Sequence, residues 1–212
     1  MQLVEFTSQG MYCPPADVYI DPHRAVNKAI VTHAHSDHAR PGHRSYLCTH
    51  TSLPLIRLRL GRHIQASSYD FGEKFSINGV EFTFFPAGHV VGSAQLRISF
   101  KGEVWVVSGD YKRHPDGLAE PFEVVPCHCF ITESTFGLPI YQWQQPHIIF
   151  EEMKQWWNEN SKMGKPSLVS AYSLGKAQRL IYHLADAGIG PVYAHSTILK
   201  TNEVIQKMGF DL

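Results

Sequence analysis

Residues 28–38 read Lys-Ala-Ile-Val-Thr-His-Ala-His-Ser-Asp-His. The stretch changes character midway. Lys28–Thr32 is apolar and β-branched, which favours a strand. It runs straight into His33, His35, Asp37 and His38, four potential metal ligands within six residues. So many polar groups are costly to bury without partners. His33 and His35, two residues apart, can point the same way at a strand end. Asp37 and His38 fall on the following turn and can address a second ion. Imidazole and carboxylate without thiolate suit Zn²⁺ or Mn²⁺. Two later segments extend the pattern. Residues 86–93 (Pro-Ala-Gly-His-Val-Val-Gly-Ser) place His89 in a glycine-rich turn between strands, and Ser108-Gly109-Asp110 places a carboxylate just after another strand. An aspartate there can bridge two metals through its two oxygens.

Composition sets the frame for this cluster. Thirteen of the 212 residues are histidine, and nineteen Lys plus Arg balance nineteen Asp plus Glu. Zero net charge removes bulk basicity as an argument for nucleic-acid binding. With 43% hydrophobic residues the chain has ample core and is not disordered. No stretch approaches the ~18 apolar residues of a membrane span, and Met1–Gly10 lacks a signal-peptide pattern, so the expectation is a cytoplasmic protein without a membrane partner. The four cysteines form no C-x-x-C pair and are expected as free thiols. Cys127-His128-Cys129 reads as the entry to a strand rather than a metal clip.

The first half reads as short strands: Asp17–Asp21, Lys28–Thr32, Phe75–Ile77, Val80–Phe85, Ala94–Phe100, Val104–Ser108 and Cys129–Thr132. Asn78-Gly79 and Lys101-Gly102 mark hairpin turns, which predicts a largely antiparallel sheet. A helix is predicted from Thr51 or Ser52 as cap to Gly61. After Tyr141 the pattern becomes helix Ile148–Asn160, strand Ser167–Tyr172, helix Lys176–Ala187 ended by Gly188, strand Val192–His195, and helix Thr197–Met208 ended by Gly209. Such alternation predicts a parallel α/β unit, with domains 1–140 and 141–212. Two strands make a thin sheet, so the second unit is expected to be the first part of a longer one or to take the rest of its sheet from elsewhere.

The series His33-x-His35-x-Asp37-His38, His89 and Asp110 resembles the motifs of the metallo-β-lactamase superfamily, and Asp21 matches that family's first, supporting aspartate. The resemblance spans residues 1 to about 140. It implies an α/β fold, an αββα sandwich with metals at one edge of two sheets. Thr132-Glu133-Ser134-Thr135-Phe136-Gly137 resembles the glutamate motif of the β-CASP nucleases, and Gly175-Lys176-Ala177-Gln178 resembles that subgroup's helix start. The change of pattern near Tyr141 then corresponds to the β-CASP α/β insertion, with the chain ending inside it and the last lactamase strand missing. More narrowly, residues 10–15 (Gly-Met-Tyr-Cys-Pro-Pro), His38-Ala39-Arg40, residues 108–112 (Ser-Gly-Asp-Tyr-Lys) and residues 133–139 (Glu-Ser-Thr-Phe-Gly-Leu-Pro) resemble bacterial ligase-associated DNA exonucleases. RNA processors share most of these short motifs.

The resemblance implies two-metal phosphodiester hydrolysis by a DNA exonuclease working in repair with a DNA ligase and a helicase. Two ions ~3.5–4 Å apart would activate a water and polarise a phosphoryl oxygen. His33, His35 and His89 are expected on the first ion, Asp37 and His38 on the second, and Asp110 between them. Asp37 could also orient the attacking hydroxide, and Glu133 a histidine beyond this chain. His195, in Ala194-His195-Ser196, is the one late histidine at an expected strand end. Lys112 with Arg113, and Tyr172, Ser173 and Lys176 at a strand-to-helix junction, are candidate phosphate contacts. Arg57, Arg59 and Arg62 read as a solvated face. Open alternatives are a β-CASP ribonuclease, a small-molecule metallohydrolase and an inactive scaffold subunit.

Overall fold

The computed structural model describes residues 2–185 and 190–212. Contacts divide the chain into two compact units, 1–133 and 134–212.

The first unit holds two sheets. One has six strands in sequence order: β1 (Glu5–Thr7), β2 (Gly10–Cys13), β3 (Val18–Ile20), β4 (Lys28–Ile30), β5 (Ser45–Thr49) and β6 (Ala66–Tyr69). The other runs β11-β10-β9-β8-β7, from β7 (Lys74–Ile77), β8 (Val80–Pro86), β9 (Ala94–Phe100), β10 (Glu103–Val107) and β11 (Cys129–Ile131). The expected hairpins form. Asn78 and Gly79 take φ of 49° and 80°, and Lys101 and Gly102 take 49° and 84°. Positive φ at both central residues matches the turn to the twist of the strands it joins. The second sheet is antiparallel except for the β10–β11 pair. The expectation of a largely antiparallel architecture fails for the first sheet, where β3–β4, β4–β5 and β5–β6 are parallel. Residues 31–44 and 50–65 are long connections that carry the chain back to the end where it started, which a two-residue turn cannot do.

Helix α1 (Leu53–Leu60) lies in the second of these connections and buries Leu53, Leu55 and Ile56. Gly61 ends it at φ 101°, its N–H donating to the Arg57 carbonyl. Ser52 holds the N-cap position without the expected side-chain cap, because its hydroxyl donates to the Thr49 carbonyl instead.

The two sheets share one core. Ile20 and Ile30 of the first pack with Phe82, Phe84, Leu96, Ile98 and Val107 of the second, all at most 1% exposed. Period-two alternation sends these side chains inward from every strand. Phe75 stacks near Phe82 with ring centres 5.5 Å apart. The carboxyl ends of β3 and β4 lie side by side in the first sheet and those of β8 and β10 point the same way in the second, and the Ala94 N–H donates to the Thr32 carbonyl where the two sheets meet.

The second unit contains α2 (Pro146–Lys162), α3 (Lys176–Ala185) and α4 (Ser196–Lys207). The strands expected at Ser167–Tyr172 and Val192–His195 do not form. Among the described residues no ladder reaches them, and Leu168 and Tyr193 are 93% and 91% exposed. Extended segments need a hydrogen-bonding neighbour to become strands. The expected end of the third helix at Ala187–Gly188 lies outside the described residues. Gly209, at φ 93°, follows α4 as expected. The Gly-Lys-Ala-Gln segment gains a structural reason. Gln178 is buried three residues into α3, and its side-chain oxygen accepts the Gly175 N–H at 2.7 Å. Its amide donates to Ser173 O and to Asn202 Oδ1 of α4. This satisfies an open helix start and ties α3 to α4.

Two outcomes follow. Phe82→Ala should cost about 3–5 kcal/mol in urea unfolding, the range for emptying a fully buried aromatic site. All four cysteines are free. Burial pushes the Cys13 thiol up to about 11 and the Cys48 thiol up to about 12. Because only the thiolate reacts, a thiol titration at pH 8 should find two accessible groups, Cys127 and Cys129, before denaturant and four after it. Four at once would contradict the packing.

Candidate metal centre

Asp21 follows β3 with φ 43°, an uncommon backbone for a residue other than glycine. The turn brings its carboxylate against the end of β4. Oδ1 accepts the Thr32 N–H at 2.8 Å, and Oδ2 accepts the Thr32 hydroxyl at 2.7 Å and lies 2.8 Å from His38 Nδ1. These contacts fix two tautomers. Thr32 gives its only hydroxyl hydrogen to the carboxylate, so Thr32 Oγ1 accepts from His33 Nδ1 at 3.1 Å. His38 Nδ1 donates to Asp21. Both rings are left with Nε2 turned toward Asp110, the arrangement by which an outer partner orients a metal-binding histidine.

Two further elements bring the remaining donors to this edge. The turn carrying His89 is closed by Ser93, whose hydroxyl accepts the N–H groups of His89 and Val90. Gly88 precedes His89 at φ 74°, and a Cβ there would overlap the Lys112 carbonyl oxygen. Gly109 precedes Asp110 at φ 54°, and a Cβ there would lie 2.8 Å from the Thr32 side chain. Glycine lets the His89 turn pack against Lys112 and lets the Asp110 turn pack against Thr32.

The result is a tight group. His35 Nδ1 lies 3.0 Å from His33 Nε2 and 3.2 Å from His89 Nε2. Asp110 Oδ2 lies 3.8 Å from His33 Nε2 and 3.6 Å from His89 Nε2. These four donors all fall within 4.8 Å of one another and could hold a metal ion. Ligands about 2.0–2.1 Å from a tetrahedral zinc stand about 3.3 Å apart, close to these separations. Asp110 turns its other oxygen away from this group. Oδ1 lies 3.3 Å from His38 Nε2, which in turn is 3.7 Å from Asp37 Oδ2. His38, Asp37 and Asp110 Oδ1 thus form a second, more open set, with the Asp37 side chain 68% exposed.

Electrostatics follow from this crowding. Burial, then the neighbouring His38, His35 and His89, push His33 well below the usual imidazole range. Burial and His35 push His89 down to about 4. Both rings are therefore neutral at pH 7, the form that ligates. His38 goes the other way. Burial opposes its charge, but the carboxylates of Asp21 and Asp110 outweigh that and raise it to about 10, so a metal ion bound at Nε2 would take the place of a proton. Burial likewise opposes ionisation of Asp110, and the His38 hydrogen bond and charge overcome it, holding the carboxyl below its ordinary value.

The other candidates lie elsewhere. The Glu133 N–H donates to Ser108 Oγ at 3.2 Å, and its carboxylate is among the charges acting on His89. Lys112 Nζ is 3.2 Å from Asp116, and Arg113 is exposed. Tyr172, Ser173 and Lys176 belong to the second unit. There Lys176 Nζ sits 4.8 Å over the Tyr172 ring, and Ser173 O accepts from Gln178. His195 is the N-cap of α4, its Nδ1 accepting the Thr197 N–H. His128 Nδ1 accepts the Val104 N–H, so the Cys-His-Cys segment joins a sheet edge as expected. Sequence reading missed the relay through Thr32, the Ser93 clasp, and two arginines that reach the loop carrying the donors. Arg59 Nε donates to Ala34 O at 2.8 Å and Arg40 Nε to Asp37 O at 3.1 Å. Thr32 adjoins His33 in sequence and could have been suspected. Arg59, twenty-five residues from Ala34, carried no local signal.

No family model matches the chain. A solved structure of a protein of unknown function from Enterococcus faecalis V583 shares the fold, with TM-score 0.51 at 11% identity over 79% of this chain and 48% of that one. Among curated proteins, a probable DNA ligase from Opitutus terrae is 30% identical over 205 residues, 95% of this chain. Cleavage and polyadenylation specificity factor subunit 3-I from Arabidopsis thaliana is 27% identical over 207 residues, 81% of this chain. The endoribonuclease YSH1 of Saccharomyces cerevisiae is 30% identical over 151 residues, 65% of this chain. The chain spans 20%, 29% and 19% of the lengths of these three relatives.

Proposed function

We propose that this chain carries the metal-binding core of a metal-dependent nuclease of the β-CASP kind, built on a metallo-β-lactamase αββα sandwich. The observation that carries this reading is the placement of Asp110. One of its oxygens faces His33 and His89, and the other faces His38. His33, His35 and His89 would hold one divalent ion, Asp37 and His38 a second, with Asp110 between them. Such ions, Zn²⁺ or Mn²⁺, would supply a water deprotonated near neutral pH and charge to polarise a phosphoryl oxygen. The protein's own part is orientation. Asp21 and Thr32 set the donor faces of His33 and His38, and Asp37, exposed beside His38, would hold the proton of an attacking water. Glu133, whose carboxylate acts on His89, would help set the charge at this edge.

The finer reading is a DNA exonuclease acting in cytoplasmic DNA repair with a DNA ligase and a helicase. The likeness of nearly the whole chain to part of a protein named probable DNA ligase supports it. A second reading, RNA processing, is favoured by the relative named an endoribonuclease and by the cleavage and polyadenylation factor subunit. Lys112, Tyr172, Ser173 and Lys176 remain candidate substrate contacts in either case. No described helix is long and apolar enough to cross a membrane.

The test offers end-labelled single- and double-stranded DNA and RNA to chelated protein, with each metal added back. DNA shortened stepwise from an end supports the exonuclease, and internal cuts in RNA support the processing reading. Cleavage that survives chelation, or that persists unchanged in Asp110→Asn, overturns the metal mechanism. Asp21→Ala strands a buried N–H and a histidine that had a charged partner. It should destabilise the fold by about 3–5 kcal/mol in urea unfolding and lower metal content along with it. Wild-type stability in that variant would show that Asp21 does not support the two histidines.

A further inference from the structure

The balanced net charge hides a local imbalance. Residues 38–69 contain five arginines and no Asp, Glu or Lys. Two of the five, Arg40 and Arg59, reach the loop that carries the donors, each through Nε–H alone. Arg59, on α1, donates to the carbonyl between His33 and His35, and Arg40 donates to the carbonyl of Asp37. Among the described residues neither guanidinium has another hydrogen-bond or ion-pair partner. Arg59 is exposed and Arg40 half-buried.

This geometry leaves most of each guanidinium's donors unused. A guanidinium presents five N–H donors in a rigid plane, and each of these arginines uses one. The anchored Nε fixes the plane, so the two terminal amino groups stand as a prearranged fork whose rotamer cost is already met. Such forks match the paired oxygens of a phosphate. Position adds to the argument. Fixed positive charges beside donors suited to divalent cations repel those cations, unless an anion joins the site and offsets both.

We propose that Arg40 and Arg59 grip the phosphates of a nucleic-acid strand beside the donor cluster. The ligand class is a sugar–phosphate backbone, read without regard to base. The inference rests on the nuclease reading above and names the residues that hold its substrate.

The test uses the full chain in excess chelator, so that a bound strand is not cut. Fluorescence anisotropy of a labelled single-stranded oligonucleotide is followed between about 50 and 200 mM salt. Arg40→Gln and Arg59→Gln should each weaken binding roughly five- to tenfold at the lower salt and make the slope of log Kd against log salt shallower by about 0.7, the share of one phosphate contact on a single strand. Arg59→Lys keeps the charge and should return the slope. Arg97→Gln, whose guanidinium pairs with Glu81 on the second sheet, should leave binding as in the wild type. Metal content of the reloaded variants should equal that of the wild type. Gln variants with an unchanged slope overturn the proposal, whether or not they lose metal, because the arginines would then brace the loop only. A wild-type chain that does not bind the strand overturns it as well. Failure of the nuclease reading shows separately, as absence of cleavage by the metal-loaded wild type.

Discussion

The carboxylate of Asp21 accepts three hydrogen bonds, two from Thr32 and one from His38, and much of the first unit depends on them. They join the end of β3 to the end of β4 and settle the ring orientation of two histidines at once. Thr32 also reaches across to the second sheet, its carbonyl accepting the Ala94 N–H at 2.9 Å. A single residue thus touches the supporting acid, the first histidine and β9. Without the carboxylate, the Thr32 N–H would be buried unpaired, and the rings would be free to turn their donor faces elsewhere. The left-handed backbone at Asp21 is a small strain that this bonding offsets.

Much of this was legible in the sequence where the signal is local. Asn78-Gly79 and Lys101-Gly102 announce their hairpins because their φ values are a property of the turn itself. His33, His35, Asp37 and His38 announce a site because a fold gains nothing from crowding four such polar groups at a strand end unless they share a partner. Reading failed where the cause lies far along the chain. Alternation at Ser167–Tyr172 and Val192–His195 states a preference for extended backbone, but a strand exists only beside another. Parallel pairing in the first sheet depends on long connections whose paths no local pattern encodes. Ser52 is a local exception, a cap in sequence whose hydroxyl is taken by the Thr49 carbonyl three residues before it. Arg59 looked like part of a solvated face, since nothing in its neighbourhood points to Ala34.

The second unit illustrates the same division. Gly175-Lys176-Ala177-Gln178 stood out in the sequence by resemblance, and the structure supplies a physical role for its last residue. Gln178 makes three hydrogen bonds from a buried position, closing the start of α3 and holding α4. A motif residue can therefore be retained for architecture even where its neighbours face solvent, as Lys176 and Tyr172 do.

The four donors that converge at the sheet edge are spread over the chain from position 33 to position 110. In an unfolded chain only His33 and His35 are near each other, and that pair alone makes a weak chelate. The complete set exists only after β4, β8 and β10 have found their places. An ion that selects the full set is thereby a ligand of the native state, and by mass action it stabilises that state by about 2.7 kcal/mol when present at a hundred times its dissociation constant. Thermal melting followed as a function of metal concentration becomes a binding isotherm for the edge. Removing such an ion would, conversely, act on the unit as a mild denaturant.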